Sequence, residues 1–109
     1  MGKKDDVLKA FKERLEIVVN DILSMIELYE NVNISSEKAK LKVQSDIVTT
    51  TIGIEFKYLI DLNCFLSETK VIDLDSCMKN CVMVNRYHEE LLKKNSDIYL
   101  AKVRFLDGE

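Results

Sequence analysis

The chain has 109 residues, of which 47% are hydrophobic and 32% are charged, with no proline and three glycines. This composition is too hydrophobic for a disordered tail and is typical of long helices in a single domain. The formal net charge of -3 disfavours binding to a nucleic acid backbone, and no apolar run could span a bilayer. Three cysteines, an odd number, indicate free thiols in a reducing compartment.

The first predicted helix covers residues 5–30 and has one continuous apolar seam. Its members are spaced alternately by three and four residues, which is typical of a helix that packs lengthwise against another helix. They are Leu8, Phe11, Leu15, Val18, Ile22, Met25, Tyr29 and Val32. The carboxylates of Asp5 and Asp6 suit the positive end of the helix dipole.

A second helix is predicted over residues 37–67, after an Asn- and Ser-rich turn at 31–36 in which Ser35 or Ser36 caps the helix. So short a turn makes the two helices antiparallel. The second helix has two apolar stripes. The first is Leu41, Val48, Ile52, Leu59, Leu62 and Leu66, and the second is Ile47, Thr51, Ile54, Tyr58 and Phe65. A helix that is apolar over so much of its circumference is expected to contact more than one neighbour.

Residues 47–54 are the weakest part of this helix prediction. They are rich in β-branched side chains that also suit a strand, and Gly53 costs a helix about 1 kcal/mol relative to alanine. We predict a helix because no turn separates this stretch from its flanks and no partner strand is visible. Gly53 is expected to let a neighbouring helix come close.

The C-terminal part is predicted to contain two further helices. After a connection at 68–73, Asp73 or Asp75 caps a helix over 74–94. Residues 95–97 (Asn, Ser and Asp) are expected to interrupt it before a short last helix over 97–106. The sequence therefore predicts one all-α domain over 1–109, a long antiparallel helical hairpin plus a C-terminal helix, whose bundle is completed by a partner.

The residues with chemical potential do not form a convincing catalytic or metal site. Cys77 and Cys81 lie one turn apart, but His88 is about 10 Å further along a straight helix, too far to share their ion. Small buried side chains on a packing face are the preferred interpretation. No third group orients a nucleophile and no glycine-rich phosphate loop is present. We therefore expect no enzyme activity, no metal and no cofactor.

Residues 41–66 resemble the central helix of the Mediator subunit 22 (Surfeit-5-like) family. The resemblance lies in the order and spacing of two apolar elements, Val43, Ile47 and Val48, then Leu59, Ile60, Asp61, Leu62, Phe65 and Leu66. It implies a nuclear, non-catalytic scaffold subunit of the Mediator head module, without a cofactor. Such subunits pair with Mediator subunit 11 in a four-helix bundle, dock on larger head subunits and support initiation by RNA polymerase II.

The resemblance implies that the seams form the bundle core and partner interface. These residues are Leu8, Phe11, Leu15, Val18, Ile22, Met25, Tyr29, Leu41, Val48, Ile52, Leu59, Leu62, Phe65 and Leu66. Direct contact with nucleic acid or membrane is not expected, and the isolated chain could form homo-oligomers.

Three alternatives stay open. One is a helical subunit of another assembly, of the kinetochore, vesicle-tethering or lysosome-positioning type. Another is a self-contained three-helix bundle. The third is a helical domain that binds a small ligand or metal through Cys77, Cys81 and His88.

Overall fold

The computed structural model describes residues 2–31 and 38–108, which form a bundle of three long helices. Helix α1 spans Lys3–Asn31, α2 spans Lys38–Glu68 and α3 spans Leu74–Leu106. Consecutive helices run antiparallel along a rod of 57 × 19 × 18 Å. The prediction of an all-α fold with a long hairpin and a C-terminal helix is therefore confirmed. Asn31 ends α1, and the rest of the predicted first turn, with Val32, Ser35 and Ser36, lies outside the described residues.

All three helices contribute apolar side chains to one core. Helix α2 packs more extensively against α3 than α1 packs against either. The core residues are Phe11, Leu15, Val18, Val19, Ile22, Ile26, Val48, Ile52, Phe56, Leu59, Val84 and Leu91. Burying each large apolar side chain contributes about 1.5–3 kcal/mol. The hairpin is thus covered by α3 of the same chain, which is the arrangement that the alternative of a self-contained three-helix bundle predicts.

The β-branched stretch at 47–54 is helical, as predicted. The hydroxyls of two of its three threonines are accommodated within the helix, since Thr49 Oγ1 donates to Ser45 O at 3.0 Å and Thr51 Oγ1 donates to Ile47 O at 2.9 Å. The expectation for Gly53 is wrong. Gly53 is exposed, and a Cβ placed on it would have no neighbouring atom within 4 Å, so no helix approaches closely there.

The predicted interruption at 95–97 is also wrong, because α3 continues through it to Leu106. Asparagine disfavours a helix interior when its side chain competes for the backbone. Here Asn95 is buried, and its Nδ2 donates across the bundle to Ser45 O at 3.3 Å and to Thr49 Oγ1 at 3.0 Å. Asp97 accepts from Lys93 Nζ at 2.8 Å on the exposed side. Two of the three side chains that predicted a break, Asn95 and Asp97, therefore bond to other side chains or to another helix.

Asp73, one of the two residues predicted as a cap, is the N-cap of α3. Its carboxylate accepts a hydrogen bond from the Ser76 backbone N–H at 3.0 Å and forms an ion pair with Lys4 Nζ at 2.9 Å. Before it, Lys70 adopts φ 60, and the Val71 N–H donates to Leu66 O at 2.9 Å. This is a Schellman-type ending of α2. The connection therefore fixes where α2 ends and α3 begins.

Candidate interaction surface

Most of the residues predicted for the bundle seam or partner interface lie in the interior of this chain's own bundle. The buried ones are Phe11, Leu15, Val18, Ile22, Tyr29, Leu41, Val48, Ile52 and Leu59, and the half-buried ones are Leu8, Met25, Leu62 and Leu66. Only Phe65 is exposed, at 59%. These residues form a seam within the bundle, and a partner would reach different side chains.

The exposed apolar side chains of α2 lie on the face opposite the core. Ile54 and Tyr58 are 64% and 52% exposed, whereas Ile52 and Leu59 are fully buried. At 100° per residue, Ile54 is rotated about 160° from Ile52 around the helix axis. The first predicted stripe of α2 therefore faces the core, and the second faces solvent.

This outward stripe has the spacing of a coiled-coil seam. Its residues alternate in steps of four and three, and we call it the outer seam: Ile47, Thr51, Ile54, Tyr58, Asp61 and Phe65. Ile47 to Phe65 span about 27 Å at 1.5 Å per residue. Because a/d spacing keeps a row of side chains along one line of a helix, the outer seam has the spacing found where two helices pack lengthwise.

Three charged residues belong to the outer seam or flank it. One lies in the row itself, and one lies on each edge. Asp61 occupies a seam position and pairs with Lys57 Nζ at 2.9 Å. Lys57 lies on the edge away from α1. Glu55 lies on the other edge and is half-buried in a groove of about 220 Å³ that it shares with Arg14 and Asp21 of α1. The two edges of the outer seam thus differ in sign.

The other exposed apolar side chains form shorter groups. Leu74, Met78 and Val82 make a ridge of two turns on α3. The remaining ones are Ile17, Leu28, Val43, Leu100 and Phe105. Single exposed apolar residues are ordinary on a protein surface, whereas a long row of them marks an interaction site. The outer seam is the longest such row among the described residues.

A polar cluster joins α2 to α3 inside the bundle. Asn63, which is fully buried, donates from Nδ2 to Cys77 O at 2.9 Å and lies 3.3 and 3.2 Å from the sulfurs of Cys77 and Cys81. Its Oδ1 accepts from Asn80 Nδ2 at 2.9 Å. Burial raises the pKa of the Cys81 thiol, which disfavours the thiolate needed for nucleophilic attack or metal binding.

His88 does not join these cysteines. Its ring stacks on Phe56, with centroids 5.3 Å apart and an interplanar angle of 14°. Within residues 2–31 and 38–108, no three His, Cys, Asp or Glu side chains come together as a metal site requires. Sequence reasoning did not single out Asn63 or Asn80, and it interpreted Asn95 as part of a helix break. The usable signal was a polar side chain at an apolar position of the helical repeat.

Comparison with known proteins finds no matching family model, no matching curated protein and no matching solved structure. No described helix has the length and apolar character that crossing a bilayer requires. The outer seam is therefore the feature of the structure that supports a functional proposal.

Proposed function

We propose that this chain is a non-catalytic helical subunit of a multiprotein assembly, and that it binds its partner through the outer seam of α2. The observation that supports this proposal is an apolar row about 27 Å long on the face of α2 that the chain's own core does not use. Four of its six residues are large apolar side chains that are at least half exposed. Covering them with a partner helix would remove them from water and favour association.

The assembly that we propose by name is the head module of Mediator. This part of the proposal depends only on the resemblance of residues 41–66 to the Mediator subunit 22 family. It makes the chain a nuclear scaffold that works with Mediator subunit 11 and larger head subunits in transcription initiation. The helical subunits of kinetochore, vesicle-tethering and lysosome-positioning complexes are the alternative, since a docking helix face suits them equally well.

The decisive experiment is affinity purification of the tagged chain followed by quantitative mass spectrometry. Ile54→Asp is the test variant, because a buried carboxylate at the centre of a helix interface is costly. We expect Mediator head subunits to be recovered with the original chain and to fall by at least about tenfold with Ile54→Asp, equivalent to about 1.4 kcal/mol.

Ile17→Asp is the matched control, since Ile17 is a similarly exposed isoleucine on α1, 51% against 64% for Ile54. It should leave recovery unchanged. Equal recovery with Ile54→Asp would contradict the outer seam as the docking site. Recovery of another assembly that depends on Ile54 would keep the docking site and replace the name.

A further inference from the structure

We infer that the charges of the outer seam reject a second copy of this chain and select a helix of a different protein, one that is basic beside Glu55 and Asp61 and acidic beside Lys57. This inference rests on the proposed function, because it specifies the partner of the same surface. Its basis is the heptad register of the outer seam. Ile47, Ile54 and Asp61 occupy one core position of the heptad, and Thr51, Tyr58 and Phe65 occupy the other.

Parallel self-pairing places an acid against an acid. In a parallel pair, each core residue meets its own copy, so Asp61 would face Asp61 of the other chain between the layers of Tyr58 and Phe65. Both carboxylates would lose water without gaining a counter-charge of the other chain, which is costly in an apolar seam. Lys57 of each chain already pairs with its own Asp61, at 2.9 Å.

Antiparallel self-pairing solves that problem and creates two others. The register that overlaps the whole seam sets Ile47 against Phe65, Ile54 against Tyr58 and Thr51 against Asp61, so apolar meets apolar and polar meets polar. The edges then meet their own copies at the centre. Glu55 comes to lie beside Glu55 and Lys57 beside Lys57, each pair offset by about 3 Å along the axis. Like charges at these positions oppose pairing.

Each charge that opposes a second copy favours a partner with the opposite pattern. The edge of Glu55 calls for Lys or Arg, the edge of Lys57 calls for Asp or Glu, and the layer of Asp61 calls for a basic side chain. Edge charges choose the partner in paired helices, while the apolar seam supplies most of the affinity. The occupant is therefore an amphipathic helix of opposite edge charge.

The test uses two synthetic helical peptides of identical composition with a leucine-rich seam. One is complementary, with Lys beside Glu55 and Asp61 and Glu beside Lys57. The other has Glu at the first two of these positions and Lys at the third, with one compensating change of Glu to Lys on its outer face so that the two compositions stay equal. The full chain should bind the complementary peptide about tenfold more tightly, as expected from three charge pairs that turn from attractive to repulsive. The charge-swapped chain (Glu55→Lys, Lys57→Glu, Asp61→Lys) should show the reverse preference.

Equal affinity for the two peptides in both chains would overturn the charge selection. If Ile54→Asp abolished that equal binding, the outer seam would still be a helix-docking site, and the proposed function would stand without this inference. Failure of both peptides to bind would overturn the inference as well.

A second measurement uses the chain alone, by sedimentation velocity. The original chain should stay monomeric, and neutralising the three charges (Glu55→Gln, Lys57→Gln, Asp61→Asn) should allow self-association that Ile54→Asp abolishes. The matched control is Lys12→Gln, Glu13→Gln and Glu16→Gln on α1, at exposed positions away from the groove of Glu55, and it should stay monomeric. A dimer of the original chain that Ile54→Asp dissociates, or a neutralised chain that stays monomeric, would each overturn the inference.

Discussion

Asn63 shows how a single polar residue can fix the fit between two helices. It is fully buried, and each polar atom of its side chain has a partner on α3. Sliding α3 by one turn would leave these groups unpaired in an apolar interior, which costs more than the hydrogen bonds contribute. The cluster therefore helps to select one register of α2 against α3.

Replacing Asn63 with alanine should destabilise the bundle by about 2 kcal/mol. The substitution leaves Asn80 Nδ2 and a backbone carbonyl without their partner and also creates a cavity. Chemical denaturation gives the free energy of unfolding. Asn85→Ala, at an exposed asparagine of α3, is the control and should change it by no more than about 0.5 kcal/mol. Equal effects of the two substitutions would show that the cluster has no special role.

Gly53 has the opposite character, because nothing in the described structure requires a glycine there. It lies in the interior of α2 and is exposed, and an added Cβ meets no atom within 4 Å. Gly53→Ala should therefore stabilise the bundle by about 1 kcal/mol, through helix propensity and a less flexible unfolded chain. A thermal melt of both chains measures this change. A lower Tm for Gly53→Ala would mean that a side chain at this position meets an obstacle.

At the scale of the elements, the start of α3 couples its cap to α1. The Ser76 hydroxyl, the Lys4 ammonium and the Ser76 N–H all favour the charged form of Asp73, and they hold the pKa of that carboxyl well below its usual value near 3.8. A group whose pKa is lower in the folded state stabilises the fold above its unfolded pKa and loses that contribution as the pH falls. The cap therefore makes α3 sensitive to acid.

The comparison of the original chain with Asp73→Asn tests this sensitivity. Asparagine is also a good N-cap but does not ionise, so it keeps the acceptor and removes the titration. Between about pH 5 and pH 2, the free energy of unfolding should fall more for the original chain than for Asp73→Asn. Denaturation monitored by circular dichroism at several pH values measures it. Parallel pH profiles for the two chains would exclude a contribution from Asp73.

How well each element could be predicted depended on what the local pattern contains. The 3.6-residue period located α1 and α2 to within two residues at their described ends, and the acid before α3 predicted its cap. The break at 95–97 was predicted from local propensity, whereas in the folded chain the Asn95 side chain hydrogen-bonds to residues about fifty positions earlier. Such a partner is visible only in the folded chain.

At the scale of the whole molecule, periodicity says that a face is apolar but not what covers it. The stripe of Leu41, Val48, Ile52 and Leu59 and the outer seam look alike in the sequence. One is buried by α1 and α3, and the other faces solvent. Three consecutive helices suffice to close one core, and α2 has the longest second apolar row among the described residues. The expectation of a partner is therefore narrowed from the whole hairpin to one face of one helix.

Because α2 borders both the core and the outer seam, binding of a partner would also affect the interior of the bundle. Phe56 and Leu59 on its inner face lie in the core, whereas Ile54 and Tyr58 on its outer face are exposed. A partner bound to the outer seam would restrict the rotation and sliding of α2. It would therefore also restrict the side chains that α2 contributes to the core. Binding of a partner to the outer seam should thus slow amide exchange in core segments that the partner does not contact.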